Sequence, residues 1–291
     1  MQKFSTILIA ILFAVIAAFA TVKMTAPRSA SVPVLDKKES TYERILRTQT
    51  IRCGYFAYEP ALIIDPNNKK MSGIFYDLTE EMARRLGVKV EWTEEVGYGE
   101  MIQGFETGRY DLFCNVVWPT PERARAASFS IPLYYSVVGV FVREDDNRFD
   151  GNVDLLNDPA ITLAVKDGDI TASVAASVFP KAKFVSVPQM ALTEQQLIEV
   201  GMGKADATFN EPVLLDRYNK TAEKKLKNIA ATVPLKYFPS TYIMPKNDMA
   251  LKQMVDVTLG DMLSDGFVAR TIKKYEPQPG SYFPIAKPYQ D

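Results

Sequence analysis

Histidine is absent from all 291 residues of this chain. Activation of a nucleophile by a neighbouring imidazole, and the usual zinc, haem and non-haem iron sites, thereby lose their commonest base or ligand. Cysteine is nearly as scarce: Cys53 and Cys114 form neither a Cys-x-x-Cys pair nor a metal-binding spacing. An excess of one charge is missing too, because 34 Lys and Arg face 35 Asp and Glu for a formal net charge of -1. That balance offers no footprint for nucleic acid. No internal repeat is evident. These absences point away from an enzyme, and no metal or cofactor is expected.

Among the features present, the apolar run from Phe4 to Val22, broken only by Ser5, Thr6 and Thr21 and preceded by Lys3, reads as an export signal. Ala18-Phe19-Ala20 supplies the small alternate residues a signal peptidase requires, so cleavage after Ala20 is expected. The run also approaches the length that crosses a bilayer, which makes residues 4–22 an uncleaved inner-membrane anchor in the alternative reading. No cysteine follows it, which excludes a lipoprotein anchor. Residues 23–41 are small and polar with Pro27 and Pro33, a flexible linker.

From Tyr42 onward, strand and helix patterns alternate. Strands are expected at Ile51 to Tyr55, Val88 to Trp92 and Tyr110 to Val117, and helices at Asp77 to Leu86 and Glu100 to Glu106. Such alternation predicts parallel α/β units. Leu78, Met82 and Leu86 repeat every four residues, an apolar stripe that packs on a sheet, and Gly87 ends it. A second block follows Arg143 to Gly151. It holds a strand at Ile161 to Val165, a turn into a helix at Gly168 to Thr171, a helix at Leu192 to Met202, and a strand at Asp206 to Glu211. Strand character returns at Ser240 to Pro245, followed by a helix from Ala250 to Leu263. The length suits two domains. Each cysteine lies in an apolar strand-like run, where a thiol packs as a small hydrophobe.

Two charged residues stand out. Arg123 presents a planar guanidinium able to hold a carboxylate through paired hydrogen bonds, and Glu211 can accept from an ammonium group. Together they suit a zwitterion. Around them run Tyr58-Glu59-Pro60, Gly73-Ile-Phe-Tyr-Asp77-Leu78, Gly108-Arg-Tyr-Asp111, Thr120-Pro-Glu-Arg123 and Phe129-Ser-Ile-Pro-Leu-Tyr-Tyr135. In order and spacing these motifs resemble the family 3 periplasmic solute-binding proteins, the amino-acid receptors of ABC importers.

The resemblance implies a type II periplasmic-binding-protein fold, with two α/β lobes joined by hinge strands at Ser136 to Val142 and Ser240 to Met244 and a ligand cleft between them. Lobe 1 is expected over residues 42–138 and again over 241–291 with its return helices and tail, and lobe 2 over 139–240. Cys53 and Cys114 fall on strands that the resemblance makes neighbours, which leaves a disulfide open. Arg123 is implied as the receptor of the ligand's α-carboxylate, worth about 1.5 to 3 kcal/mol net, with the Trp118 amide and the Thr120 hydroxyl beside it. Glu211 is implied for the ammonium. Tyr58 is implied to stack on the ligand, with Tyr55 and Phe56 as competitors, because the turn after Gly54 is one residue short. The helix start at Ile170 and Thr171 is implied as a second anion contact that engages on closure, while Asp169 reads as a cap. Val116, Val117 and Trp118 replace the small hydroxyl residues common in the family and predict a more apolar wall.

The expected protein is thus a monomeric periplasmic receptor that closes on an amino acid or related small zwitterion and delivers it to an ABC permease. Alternatives are a cyclohexadienyl-dehydratase-like enzyme on the same fold, with Glu211 as general acid, and a membrane-anchored ligand sensor.

Overall fold

Ser40 starts the folded chain with a capping box: its hydroxyl accepts from Glu43 N at 3.1 Å and the Glu43 carboxylate accepts from Ser40 N at 2.9 Å. The computed structural model describes residues 39–277 and 281–285. The expected export segment and the linker up to residue 38 lie outside them.

In chain order the elements are α1 (Thr41–Thr48), β1 (Thr50–Tyr55), the short hairpin β2 (Ile63–Ile64) and β3 (Met71–Ser72), α2 (Ile74–Leu86), β4 (Lys89–Glu95), α3 (Met101–Glu106), β5 (Leu112–Val117), α4 (Pro121–Ala124), β6 (Ala127–Phe129) and β7 (Tyr134–Arg143). There follow a 3₁₀ turn (Val153–Leu156), β8 (Thr162–Lys166), α5 (Ile170–Val178), β9 (Lys183–Val187), α6 (Gln195–Gly201), β10 (Ala207–Asn210), α7 (Pro212–Thr221), β11 (Leu226–Asn228) and β12 (Lys236–Pro245). Helices α8 (Met249–Ser264) and α9 (Phe267–Tyr275) and the strand β13 (Phe283–Pro284) complete the series.

The principal strands run in the order β4-β1-β5-β12-β7-β10-β8-β9, and two long strands carry the sheet across its middle. In β12, Thr241 and Ile243 pair with β5, whereas Lys236 to Ser240 pair with Tyr134 to Val138 of β7. Gly139 to Val142 of β7 then pair with β10. The change of partner therefore falls between Val138 and Gly139 on one strand and between Ser240 and Thr241 on the other. To one side β4, β1 and β5 are parallel, and to the other β10, β8 and β9 are parallel. This is a mixed α/β fold in two sections.

Helix α2 shows why the sequence builds these layers. Leu78 and Met82 are fully buried, each contributing about 2 kcal/mol of apolar transfer, and Gly87 at φ 70° closes the helix with its N–H on Ala83 O and Arg84 O. The helix begins at Ile74, earlier than the expected Asp77, because Ile74 and Phe75 are themselves buried. Asp111 works as a fold residue: nearly inaccessible, it accepts from Arg52 N at 2.7 Å, Arg52 Nη2 at 3.0 Å and Arg44 Nε at 3.0 Å. The cysteines are a disulfide, with Cα atoms 5.4 Å apart. The simpler reading of two independent buried thiols gives way because parallel pairing of β1 with β5 sets Cys53 beside Leu112, bringing the sulfurs of neighbouring strands together. No helix among the described residues is long and apolar enough to cross a membrane.

Candidate functional site

A cavity with about 330 Å³ of empty space lies where the two sections face each other, lined by Tyr58, Tyr98, Val116, Trp118, Arg123, Asp169, Ile170 and Asn210. The local sequence explains how each side supplies its groups. Strand β5 is buried throughout and ends in Trp118-Pro119-Thr120. Thr120 then caps α4, its hydroxyl accepting from Arg123 N at 3.2 Å, and Pro121 fills the first helical position, where no N–H is needed. This puts Arg123 in the first turn. Its Nη1 donates to Trp118 O at 3.1 Å, and its Nη2 donates across to Gly168 O at 3.1 Å. Both partners are backbone carbonyls. Burial pushes the guanidinium below the ordinary arginine range, and the negative charge of Asp169 opposes that shift.

Tyr58 is fixed by a two-way backbone bridge to Leu62, at 2.9 and 2.8 Å, and the turn before it is tied by Asn115 Nδ2 donating to Phe56 O. Its hydroxyl crosses to the other section, reaching Asn210 Oδ1 at 3.1 Å and Glu211 Oε2 at 3.0 Å. Tyr55 and Phe56, the competitors for this position, instead pack edge-on against Trp92 and Tyr98. Trp118 stacks on Phe238 of β12 with ring centroids 4.8 Å apart, and its buried indole N–H has no protein acceptor.

The expected site residues separate here. Arg123, Trp118, Tyr58 and Ile170 line the cavity. Thr120 stands behind Arg123 as its cap. Thr171 is buried away from the cavity, its hydroxyl accepting from Lys166 N at 3.1 Å and Gln196 Nε2 at 3.3 Å, while its own N–H is held by Asp169 Oδ1 at 2.9 Å. The α5 amide expected to meet an anion is thus already engaged by its own cap. Glu211 is buried behind Tyr58 and Asn210, and it lines a separate depression on the far side of the hinge strands with Ser136, Asp216 and Tyr282. Burial pushes its carboxyl up to about 7; Ser136 Oγ, which makes no well-formed hydrogen bond, and the Tyr58 hydroxyl favour the charged form but are outweighed.

Two lining residues escaped the sequence reading. Tyr98 sits between Gly97 and Gly99, a pair of glycines that could have flagged a close approach. Asp169 read only as a helix cap, and it caps and faces the cavity at once. Burial raises the Tyr58 and Tyr98 hydroxyls far above the ordinary tyrosine value, so both remain neutral.

The sequence profile of the bacterial extracellular solute-binding proteins, family 3, matches residues 51–278. The chain belongs to that family. It is 26% identical over 219 residues to the L-cystine-binding protein TcyA of Bacillus subtilis, covering 75% of this chain and 77% of that protein. A probable amino-acid ABC transporter-binding protein of Haemophilus influenzae is 26% identical over 186 residues, 64% of this chain and 69% of its own length. Among solved structures, the ancestral amino acid-binding protein AncCDT-1, a precursor of cyclohexadienyl dehydratase, superposes with a TM-score of 0.69 at 27% identity, covering 81% of this chain and 99% of that one. The two-lobed periplasmic binding fold and extracytoplasmic solute binding follow from this membership.

Proposed function

We propose that this protein captures an amino acid or a related small zwitterion by closing its lobes, residues 42–138 with 241–291 against 139–240, and hands it to an ABC permease. The observation that carries the reading is Arg123: a largely buried guanidinium lining an amino-acid-sized cavity, with two backbone carbonyls as its polar partners. A buried charge is stable only when paired, and a ligand carboxylate supplies the pairing geometry that carbonyls lack. Tyr58, Trp118 and Ile170 form the apolar wall beside it, and the Trp118 indole N–H offers a further donor. Thr120 acts by holding Arg123. The relatives named for binding amino acids and cystine support this ligand class.

Titration calorimetry of the purified protein against the proteinogenic L-amino acids and L-cystine tests the reading. At least one should bind, and Arg123→Ala should weaken that ligand by roughly 10- to 100-fold, the equivalent of a lost charge-assisted contact. Absence of binding by the wild type, or undiminished binding by the variant, rejects it.

The enzymatic reading draws on Glu211, whose raised pKa suits a general acid. The carboxyl stands behind Tyr58, out of reach of a molecule in the cavity, so binding without turnover is the function adopted here. Conversion of prephenate or arogenate by the purified protein is the result that reverses this choice.

A further inference from the structure

Two opposite charges face the cavity without pairing with each other: Arg123 from α4 and Asp169 from the start of α5. One Asp169 oxygen accepts from Thr171 N, and the other has no hydrogen-bond partner among the described residues. As the N-cap of a nine-residue helix, the carboxylate is held in its charged form's favoured place. Tyr58, Tyr98 and Trp118 complete the wall, and aromatic faces attract a cation.

We propose that Asp169 is the ammonium receptor of this cavity and limits its ligands to amine-bearing zwitterions and cations. The assignment rests on the zwitterion reading above and identifies which carboxylate does the work. Glu211 does not do it, because Tyr58 and Asn210 stand between its carboxylate and the cavity, and its open side is the depression behind the hinge. Protonation reinforces the geometry: near neutral pH Glu211 is only partly ionised. The charges around Asp169 are Arg123 across the cavity and Lys166 on its own side, the latter bonded to Ala191 O at 2.7 Å and lying 4.5 Å from the Phe56 ring centre. Neither closes on the carboxylate. A consequence is exclusion as well as attraction, since a ligand with a second carboxylate brings a like charge towards Asp169.

The experiment uses calorimetry with the amino-acid panel, L-glutamate and L-aspartate included, and the des-amino analogue of each binder. Asp169→Ser keeps a hydroxyl cap for α5 while removing the charge, and thermal melting verifies that the variant is folded. We expect Asp169→Ser to weaken amine-bearing ligands by roughly 10- to 100-fold, to leave the des-amino analogues unchanged or tighter, and to narrow the discrimination against L-glutamate. Glu211→Gln should stay within about threefold of wild type. Loss of binding in Glu211→Gln with Asp169→Ser unaffected overturns the assignment and leaves the zwitterion reading standing. A wild type that binds nothing in the panel overturns both.

Discussion

Glu211 shows how far burial can move a single group. Its folded-state pKa of about 7 exceeds the ordinary carboxyl value of 4.5, so between those values the folded protein holds a proton that the unfolded chain has released. The stability contributed by that proton is complete below the unfolded value and is lost as pH rises through the folded one, by about 3 kcal/mol. Glu211→Gln cannot ionise and escapes the loss. In the unliganded protein the variant should therefore gain in melting temperature relative to wild type between pH 5 and pH 8; parallel curves over that range refute the buried-acid account. Residue identities were legible in sequence where local chemistry fixes the side chain, as in Thr120-Pro-Glu-Arg123, whose cap and proline dictate where Arg123 points. Glu211 was legible as an acid at a strand end but not in its depth, because that depth is set by Tyr58, far away in the chain, closing over it.

At the scale of elements, alternation of apolar runs with amphipathic stretches announced most of the strands and helices, and the errors have a common cause. Ends shifted where burial continued past the periodic core, as at Ile74. The exposed strand Lys183–Val187 and the helix Pro212–Thr221 went unmarked, the first because its burial pattern is largely outward and the second because its first turn reads as a loop after Pro212. Partnership between strands is not a local property, and this is why Cys53 and Cys114 did not declare themselves a pair. Their bridge spans a sequence separation of 61, and loop-closure entropy makes it worth roughly 4 kcal/mol. Replacing both with alanine should lower the unfolding midpoint in urea accordingly, while a reductant should lower the wild-type midpoint and leave that of the double variant unchanged. Equal midpoints for wild type and variant without reductant show that the cross-link adds nothing. Arg123 and Asp169 lie outside this sheet interior, so ligand binding well below the transition should survive the loss of the bridge.

The whole molecule is described in a closed arrangement. Besides Arg123 and Tyr58, Arg217 Nη1 reaches Glu59 at 2.7 Å and Gln189 Nε2 reaches Glu100 at 3.1 Å, all between the two sections. The tightest approach involves backbone. A Cβ on Gly168 stands only 2.5 Å from Gly99 Cα, and one on Gly99 lies 3.4 Å from Gly168 Cα, with Gln189 Oε1 at 2.6 Å. Gly168 also has φ 70°, so replacing it strains its own turn and confuses two effects. Gly99 has no such constraint, which makes it the better probe. The Gln189 amide can swing aside, but the branches of a valine at 99 extend towards the Gly168 backbone, which cannot. Because only the closed form brings these backbones together, Gly99→Val should leave the unliganded melting temperature nearly unchanged while weakening the strongest ligand of the amino-acid panel by about tenfold or more, roughly 1.4 kcal/mol taken from the closed state alone. Small-angle scattering separates this from damage to the site: wild type should contract on saturation with ligand, and the variant, even at saturation, should contract less. A variant that binds and contracts as wild type does shows that the two glycines meet without limiting closure.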